Sequence, residues 1–244
     1  MTWVKICGMT NLEDALVAVD AGADAVGFVF YEKSPRCVSV ETVREIGAGL
    51  PEGVEKIGVF VSPEADAIRM MVDAGLTGTQ SYISTEGFAG SKGRTWIGRA
   101  CLPPSFRSLI AFPMSLFGED VSQVEGMLAG FAASRKKLPD GVSIPEGFFD
   151  TFLLDSGNLR QLGGTGHAFD WKRVRALAEG MRKDGLKLVV AGGLTPENVG
   201  EAIGTLSPWG VDVSSGVEAC PGKKDPDKVR AFVKAVRDTD RKVG

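Results

Sequence analysis

Two residues in this chain could move protons, and each ends an apolar run. Cys7 closes Val4-Lys5-Ile6-Cys7, and Asp155 closes Phe152-Leu153-Leu154-Asp155. A thiolate can remove a proton and a carboxylic acid can supply one, so the two would form a base and acid pair if they converged on one pocket. Cys7 also has a plainer reading, as a small buried hydrophobe. Asp155 is harder to read as structural, because an unpaired carboxylate is costly to bury and must meet solvent, a partner or a substrate. Gln80 and Asp212 end or interrupt two further β-prone runs, Thr77–Ile83 and Val211-Asp212-Val213.

Glycine-rich turns leading into helices make anion sites, since their free backbone N–H groups point at the ligand. Three such turns are present: Gly163-Gly164-Thr165-Gly166, Gly192-Gly193 and Ser214-Ser215-Gly216. They could equally be tight turns and nothing more. Arg36, in Ser34-Pro35-Arg36, could grip a carboxylate with its fork or stand as a solvated loop residue. His167, the only histidine, is expected to be an exposed loop residue. With no second histidine and no cluster of metal-ligating types, no metal site is expected. The glycine turns are not a P-loop, and Ser214 and Ser215 lie in no G-x-S-x-G elbow.

The elements that must position these residues alternate between strands and helices. After Cys7-Gly8, the pattern Thr10-x-x-Glu13 reads as a capping box. It opens a helix with Leu12, Ala15, Leu16 and Val19 on one face, stopped at Ala21-Gly22. Asp24–Phe30 is nearly all apolar, as strands buried on both faces are. A helix near Val40–Leu50, a strand at Lys56–Val61 and a helix capped by Ser62-Pro63 follow. Val19-Asp20-Ala21-Gly22 and Val72-Asp73-Ala74-Gly75 echo one another, each leading into another strand, which suggests a repeating unit. Ser84–Phe149 is irregular. Its strand could be Thr95-Trp96-Ile97 or Leu109–Phe112. The second is preferred, because a helical stretch, Val121–Ser134, comes soon after; Leu138–Gly147 reads as a loop. Then come Phe152–Asp155, a helix from Trp171 to about Lys183, Leu186–Val190, a short helix capped by Thr195-Pro196-Glu197, Val211–Val213, and a closing helix Pro226–Arg237 capped by Asp225.

Eight strand candidates alternating with helices predict a single (β/α)8 barrel over residues 1–244, with an irregular region around strands 4 and 5. An open doubly wound sheet would want a G-x-G-x-x-G after the first strand, and Cys7-Gly8-Met9-Thr10-Asn11 is not one. In a barrel, Cys7, Gln80, Asp155 and Asp212 share one ring of strand ends, and the last two glycine turns follow strands 7 and 8, where barrels often hold phosphate. Length and composition agree: 244 residues, 43% apolar, 24% charged. A net charge of −3 suggests neither nucleic acid nor an anionic membrane as partner. No run approaches a membrane span, and the first residues do not read as a signal peptide. Cys7, Cys37, Cys101 and Cys220 are too scattered for a zinc knuckle or disulfide framework, so free thiols and a cytoplasmic location are expected.

In this order the residues resemble the phosphoribosylanthranilate isomerase family of tryptophan biosynthesis. The matching segments are Lys5-Ile6-Cys7-Gly8 with Glu13-Asp14-Ala15, Gly22–Phe30, Ser34-Pro35-Arg36, Leu153–Ser156, Gly163–Gly166 with Phe169-Asp170-Trp171, Ala191–Leu194 with Pro196–Val199, Gly210–Glu218, and Pro221-Gly222 through Lys228. They span about two-thirds of the chain. The resemblance implies a (β/α)8 enzyme, monomer or homodimer, that needs no cofactor and takes a small phosphorylated substrate through an Amadori rearrangement. It implies Asp155 as general acid, Cys7 as general base, Arg36 on the anthranilate carboxylate, Asp212 on the sugar, and the turns after strands 7 and 8 on the phosphate. One departure stands out. The family's fourth strand usually ends Gln-Leu-His-Gly, and here it reads Gln80-Ser81-Tyr82-Ile83. A lyase acting on indole-glycerol phosphate would instead call for a lysine or paired glutamates at strand ends. A non-catalytic barrel that keeps only its phosphate site is the other alternative.

Overall fold

The computed structural model describes residues 1–61, 70, 72–82, 105–114, 121–136, 150–157 and 169–243. Eight parallel strands close into a barrel in sequence order: β1 Trp3–Cys7, β2 Ala25–Val29, β3 Glu55–Val61, β4 Gly78–Tyr82, β5 Arg107–Pro113, β6 Thr151–Asp155, β7 Lys187–Val190 and β8 Gly210–Val213. Pairing β1 to β8, with Lys5 opposite Asp212, completes the ring. The (β/α)8 expectation holds, and Leu109–Phe112 lies within the fifth strand as preferred. The alternative at 95–97, the Ser62-Pro63 cap, Ile83 and the expected loop at 138–147 lie outside the described residues.

Alternation along each strand divides the apolar residues into two sets. Val4, Ile6, Val26, Phe28, Phe152 and Leu154 point outward into the layer between barrel and helices. Trp3, Cys7, Ala25, Ile57, Val59, Leu109, Ala111, Leu153 and Val189 fill the interior. The covering helices are α1 Leu12–Asp20, α2 Val40–Gly49, α3 Ser122–Lys136, α4 Arg175–Lys183, α5 Val199–Leu206 and α6 Pro226–Val243. Of the third helix expected from sequence, the described part is its end, where Ala74 N–H reaches Met70 O and Gly75 N–H reaches Val72 O.

Several local expectations are corrected. The first helix is capped by Asn11, whose side chain accepts from Asp14 N–H at 2.8 Å, and not by Thr10. Thr10 is spent elsewhere, donating to Gly222 O at 2.6 Å. The face α1 buries is Asp14, Ala15 and Ala18, while Leu12 is exposed. Trp171–Val174 is a 3-10 turn ahead of α4. Thr195 caps a turn, its hydroxyl accepting from Glu197 N–H, so α5 starts later, at Val199. The closing helix runs on to Val243, with Asp225 accepting from Asp227 and Lys228 N–H. A short hairpin after β8, β9 Glu218–Cys220 and β10 Lys223–Lys224, was not anticipated.

The strands' amino end is plugged. Trp3 stacks on Trp209 at 5.1 Å, and the Arg107 guanidinium lies over both rings at 5.8 and 4.9 Å. Glu55 holds that guanidinium by two bonds of 2.6 and 2.7 Å. The barrel is therefore open to a ligand from its carboxyl end, where strand-terminal residues face the loops.

Candidate active site

Cys7, Arg36, Gln80, Asp155, Gly192, Gly193, Asp212, Ser214, Ser215 and Gly216 all line one cup at the carboxyl ends of the strands, about 700 Å³ to its open mouth. The thiol and the carboxyl thus share a chamber with the two glycine turns. Gly164, Gly166 and His167 lie outside the described residues.

At the bottom of the cup a lysine occupies the barrel axis. Lys5 is two residues before Cys7 on β1, so both side chains point inward. Its ammonium is fully buried and donates to Asp212 Oδ1 at 2.9 Å and Gln80 Oε1 at 3.0 Å. Its charge also acts on the Cys7 side chain beside it. Burial works against the ammonium's charge, but Asp212 and Cys7 outweigh it, and the Lys5 pKa ends above its ordinary value. For Cys7 burial wins. It pushes the thiol above its usual range, with Asp212 adding to the rise and Lys5 and Lys224 opposing it. Room for both side chains comes from Gly27, the register partner of Cys7. A Cβ there would stand 2.7 Å from Cys7 Sγ and 3.0 Å from Lys5 Cε.

Asp155 closes β6 on the other side of the cup and is 2% exposed. Burial raises its pKa, while the Tyr82 hydroxyl and the Gly157 N–H pull it back. Tyr82 donates to Oδ2 at 2.6 Å and Gly157 N–H to Oδ1 at 2.9 Å. Gly192, at φ +82°, closes the wall beside it; a Cβ there would fall 2.1 Å from Ser156 Oγ and 2.7 Å from Asp155 Oδ1.

Arg36 brings the least expected arrangement. Its Nε and Nη2 bind the two oxygens of Glu218 at 2.8 and 2.6 Å. Lys224 Nζ reaches the same carboxylate at 2.9 Å and Ser214 O at 3.2 Å. Burial alone would raise the Glu218 pKa, but Arg36 and Lys224 hold it below its usual range. The fork does grip a carboxylate, and it is the protein's own. Two of the guanidinium's five N–H groups are engaged there. The turns after β7 and β8 line the same cup as Arg36. The chain after Ser214 enters a 3-10 turn, Ser215–Val217, whose first N–H groups have no intrahelical acceptor. Asn198 pins the other turn by donating to Gly193 O at 2.9 Å.

Four residues of the site carried no expectation: Lys5, Tyr82, Glu218 and Lys224. Lys5 had a signal, a lysine inside a buried strand at the i−2 position from the thiol. Glu218 and Lys224 depend on the β9–β10 hairpin, which two- and three-residue strands barely announce. Of the cysteines, Cys37 and Cys220 are exposed and unbridged, and Cys101 lies outside the described residues. No helix among the described residues is long and apolar enough to cross a membrane, and none of their His, Cys, Asp and Glu side chains gather as a metal site.

Comparison with known proteins places this geometry in context. A family model described as N-(5'phosphoribosyl)anthranilate (PRA) isomerase matches residues 4–77 and 144–235. The N-(5'-phosphoribosyl)anthranilate isomerase of Rubrobacter xylanophilus is 42% identical over 244 residues, covering 97% of this chain and all of its own. The crystal structure of phosphoribosyl anthranilate isomerase from Thermotoga maritima superposes with a TM-score of 0.73 at 35% identity, covering 98% of this chain and 100% of that one. A second, in complex with reduced 1-(o-carboxyphenylamino)-1-deoxyribulose 5-phosphate, gives 0.71 at 34% identity over the same shares.

Proposed function

The chain belongs to the N-(5'-phosphoribosyl)anthranilate isomerase family, and we propose that its cup carries out the Amadori rearrangement of N-(5'-phosphoribosyl)anthranilate in L-tryptophan biosynthesis, with Asp155 as general acid and Cys7 as general base. One observation carries the reading. A buried carboxyl with a raised proton affinity and a thiol beside an ammonium line the same chamber as the glycine-containing turns after β7 and β8.

The chemistry follows from these positions. Backbone N–H groups at Gly193 and the Ser215–Gly216 turn hold the phosphate. Arg36 takes the anthranilate carboxylate on the N–H groups that Glu218 does not use. Asp155 gives its proton to the ribose ring oxygen; the C1′–O bond breaks and the nitrogen lone pair forms a Schiff base. Cys7, as thiolate, removes the C2′ proton, and those electrons return to nitrogen as an enolamine. Protonation at C1′ and loss of the C2′ hydroxyl proton complete the ketose. Asp212, fixed by Lys5, orients the sugar. No electron leaves the substrate, so the reaction calls for no redox partner.

The test is turnover of phosphoribosylanthranilate generated in situ, followed by loss of its fluorescence. Asp155→Asn and Cys7→Ser are each expected to lower kcat by about 10²-fold or more. Arg36→Ala is expected to raise KM steeply. Parent-like turnover in either of the first two would remove the assigned role.

A further inference from the structure

Tyr82 has no part in the reaction just described, yet it makes the shortest contact to its acid. The phenol is buried at the end of β4 and donates to Asp155 Oδ2 at 2.6 Å. Its own oxygen accepts from Gln80 Nε2 at 3.4 Å. β4 and β6 are not neighbours, because β5 lies between them. The ring can cross because the inward residue of β5 opposite Tyr82 is Ala111, which is small and fully buried. Asp155 is thus held from both sides, Oδ1 by the Gly157 N–H and Oδ2 by the phenol. This is the position where the resembling family usually carries histidine, another side chain with a ring-borne donor.

We propose that Tyr82 is a positioning residue for Asp155, fixing the Oδ2 lone pairs and setting how readily the carboxyl gives up its proton to the substrate. The proposal rests on the general-acid reading of Asp155. A buried carboxyl that accepts two hydrogen bonds is stabilised as the anion, whereas burial favours the acid, and the balance decides the pH at which the acid is lost. Removing the phenol O–H removes one of the two bonds that favour the anion. The charged and titratable groups facing Asp155 and Tyr82 are Lys5 and Cys7 on β1 and Asp212 on β8. Tyr82→Phe leaves all of these in place. The variant keeps the ring and its packing against the barrel interior.

The experiment is the pH profile of kcat and KM for Tyr82→Phe, Tyr82→His and Asp155→Asn beside the parent protein. Because the thiol holds its proton to higher pH than the carboxyl, the low-pH limb of kcat follows Asp155. Tyr82→Phe is expected to move that limb about one unit more alkaline, the scale of one lost hydrogen bond to a charged oxygen, and to raise the plateau by up to about tenfold, with KM changed less than about twofold. Tyr82→His, whose ring N–H can replace the donor, is expected to keep the limb within about half a unit of the parent. Asp155→Asn is expected to abolish that limb along with most turnover. A limb unmoved by Tyr82→Phe while Asp155→Asn is inactive overturns the role of Tyr82 alone. An effect of Tyr82→Phe on KM only does the same. Full turnover in Asp155→Asn overturns the acid reading and this proposal together.

Discussion

Replacing Lys5 with methionine tests what the buried ammonium does for the thiol. Lys5 is fully buried and its charge acts on Cys7, two residues along the same strand and on the same face, so water screens the interaction little. For unit charges about 4 Å apart at an effective dielectric constant of about 20, Coulomb's law gives about 4 kcal/mol, or about three pH units of thiol ionisation. Asp212 already neutralises part of that charge. The expected rise in the Cys7 pKa is therefore about one to three units, and below that pKa the thiolate fraction and kcat fall about 10- to 1,000-fold. The substitution also strands the Asp212 carboxylate, 6% exposed, which costs about 3–5 kcal/mol. Lys5→Met/Asp212→Asn removes both charges and is expected to recover most of that loss while leaving the thiol hard to ionise. The assay is the pH dependence of iodoacetamide alkylation at Cys7, read by mass spectrometry of its peptide so that Cys37 and Cys220 do not interfere, with thermal melts alongside. A Cys7 titration within about 0.3 unit of the parent in both variants, well below the Coulomb figure, would refute the argument.

Two other perturbations address the walls of the cup. Gly27→Ala puts a methyl 2.7 Å from Cys7 Sγ, and overpacking of this kind costs about 1–3 kcal/mol; urea melts should register that loss, and kcat should fall more than KM changes, because the thiol is what must move. Glu218→Gln removes a carboxylate whose folded pKa is depressed. Such a group adds stability above its unfolded pKa of about 4.3 and loses it as pH falls through the folded value, so the stability gap between parent and variant should be present at pH 7 and close progressively below about pH 4.

The barrel was legible because its strands are short, apolar and separated by helices with clear stops. The glycines at 22 and 75 mark ends that the backbone shares, both with positive φ. That Cys7, Asp155 and the turns after β7 and β8 gather on one rim was legible because residues at strand ends need no knowledge of side-chain direction to be placed there. What lay hidden depended on contacts across the barrel. Lys5 meets Gln80 from three strands away, and Tyr82 reaches over β5 to Asp155; neither pairing has a sequence period. Thr10 shows the same limit on a small scale. Its spacing to Glu13 fits a cap, but a long-range partner at Gly222 takes the hydroxyl first and the cap passes to Asn11. The family model likewise leaves 78–143 unmatched, the stretch that holds β4, β5 and Tyr82.

Taken together, the site sets a protonation problem that its own residues address. The proposed mechanism needs a thiolate and a carboxylic acid at once, yet a thiol ordinarily holds its proton to higher pH than a carboxyl does. The competent combination is therefore the scarcer of the two singly protonated forms. Burial raises Asp155 toward Cys7, and Lys5 draws Cys7 back against its own burial, so both effects shrink the gap. Tyr82 and Gly157 act in the opposite sense, holding Asp155 down. The expected pH profile is a bell whose limbs belong to the coupled pair and not to either residue. Its height depends on how far apart the two limbs lie. On this reading that distance is governed by two side chains with no proton-transfer role of their own: an ammonium on the barrel axis and a phenol at the end of the fourth strand.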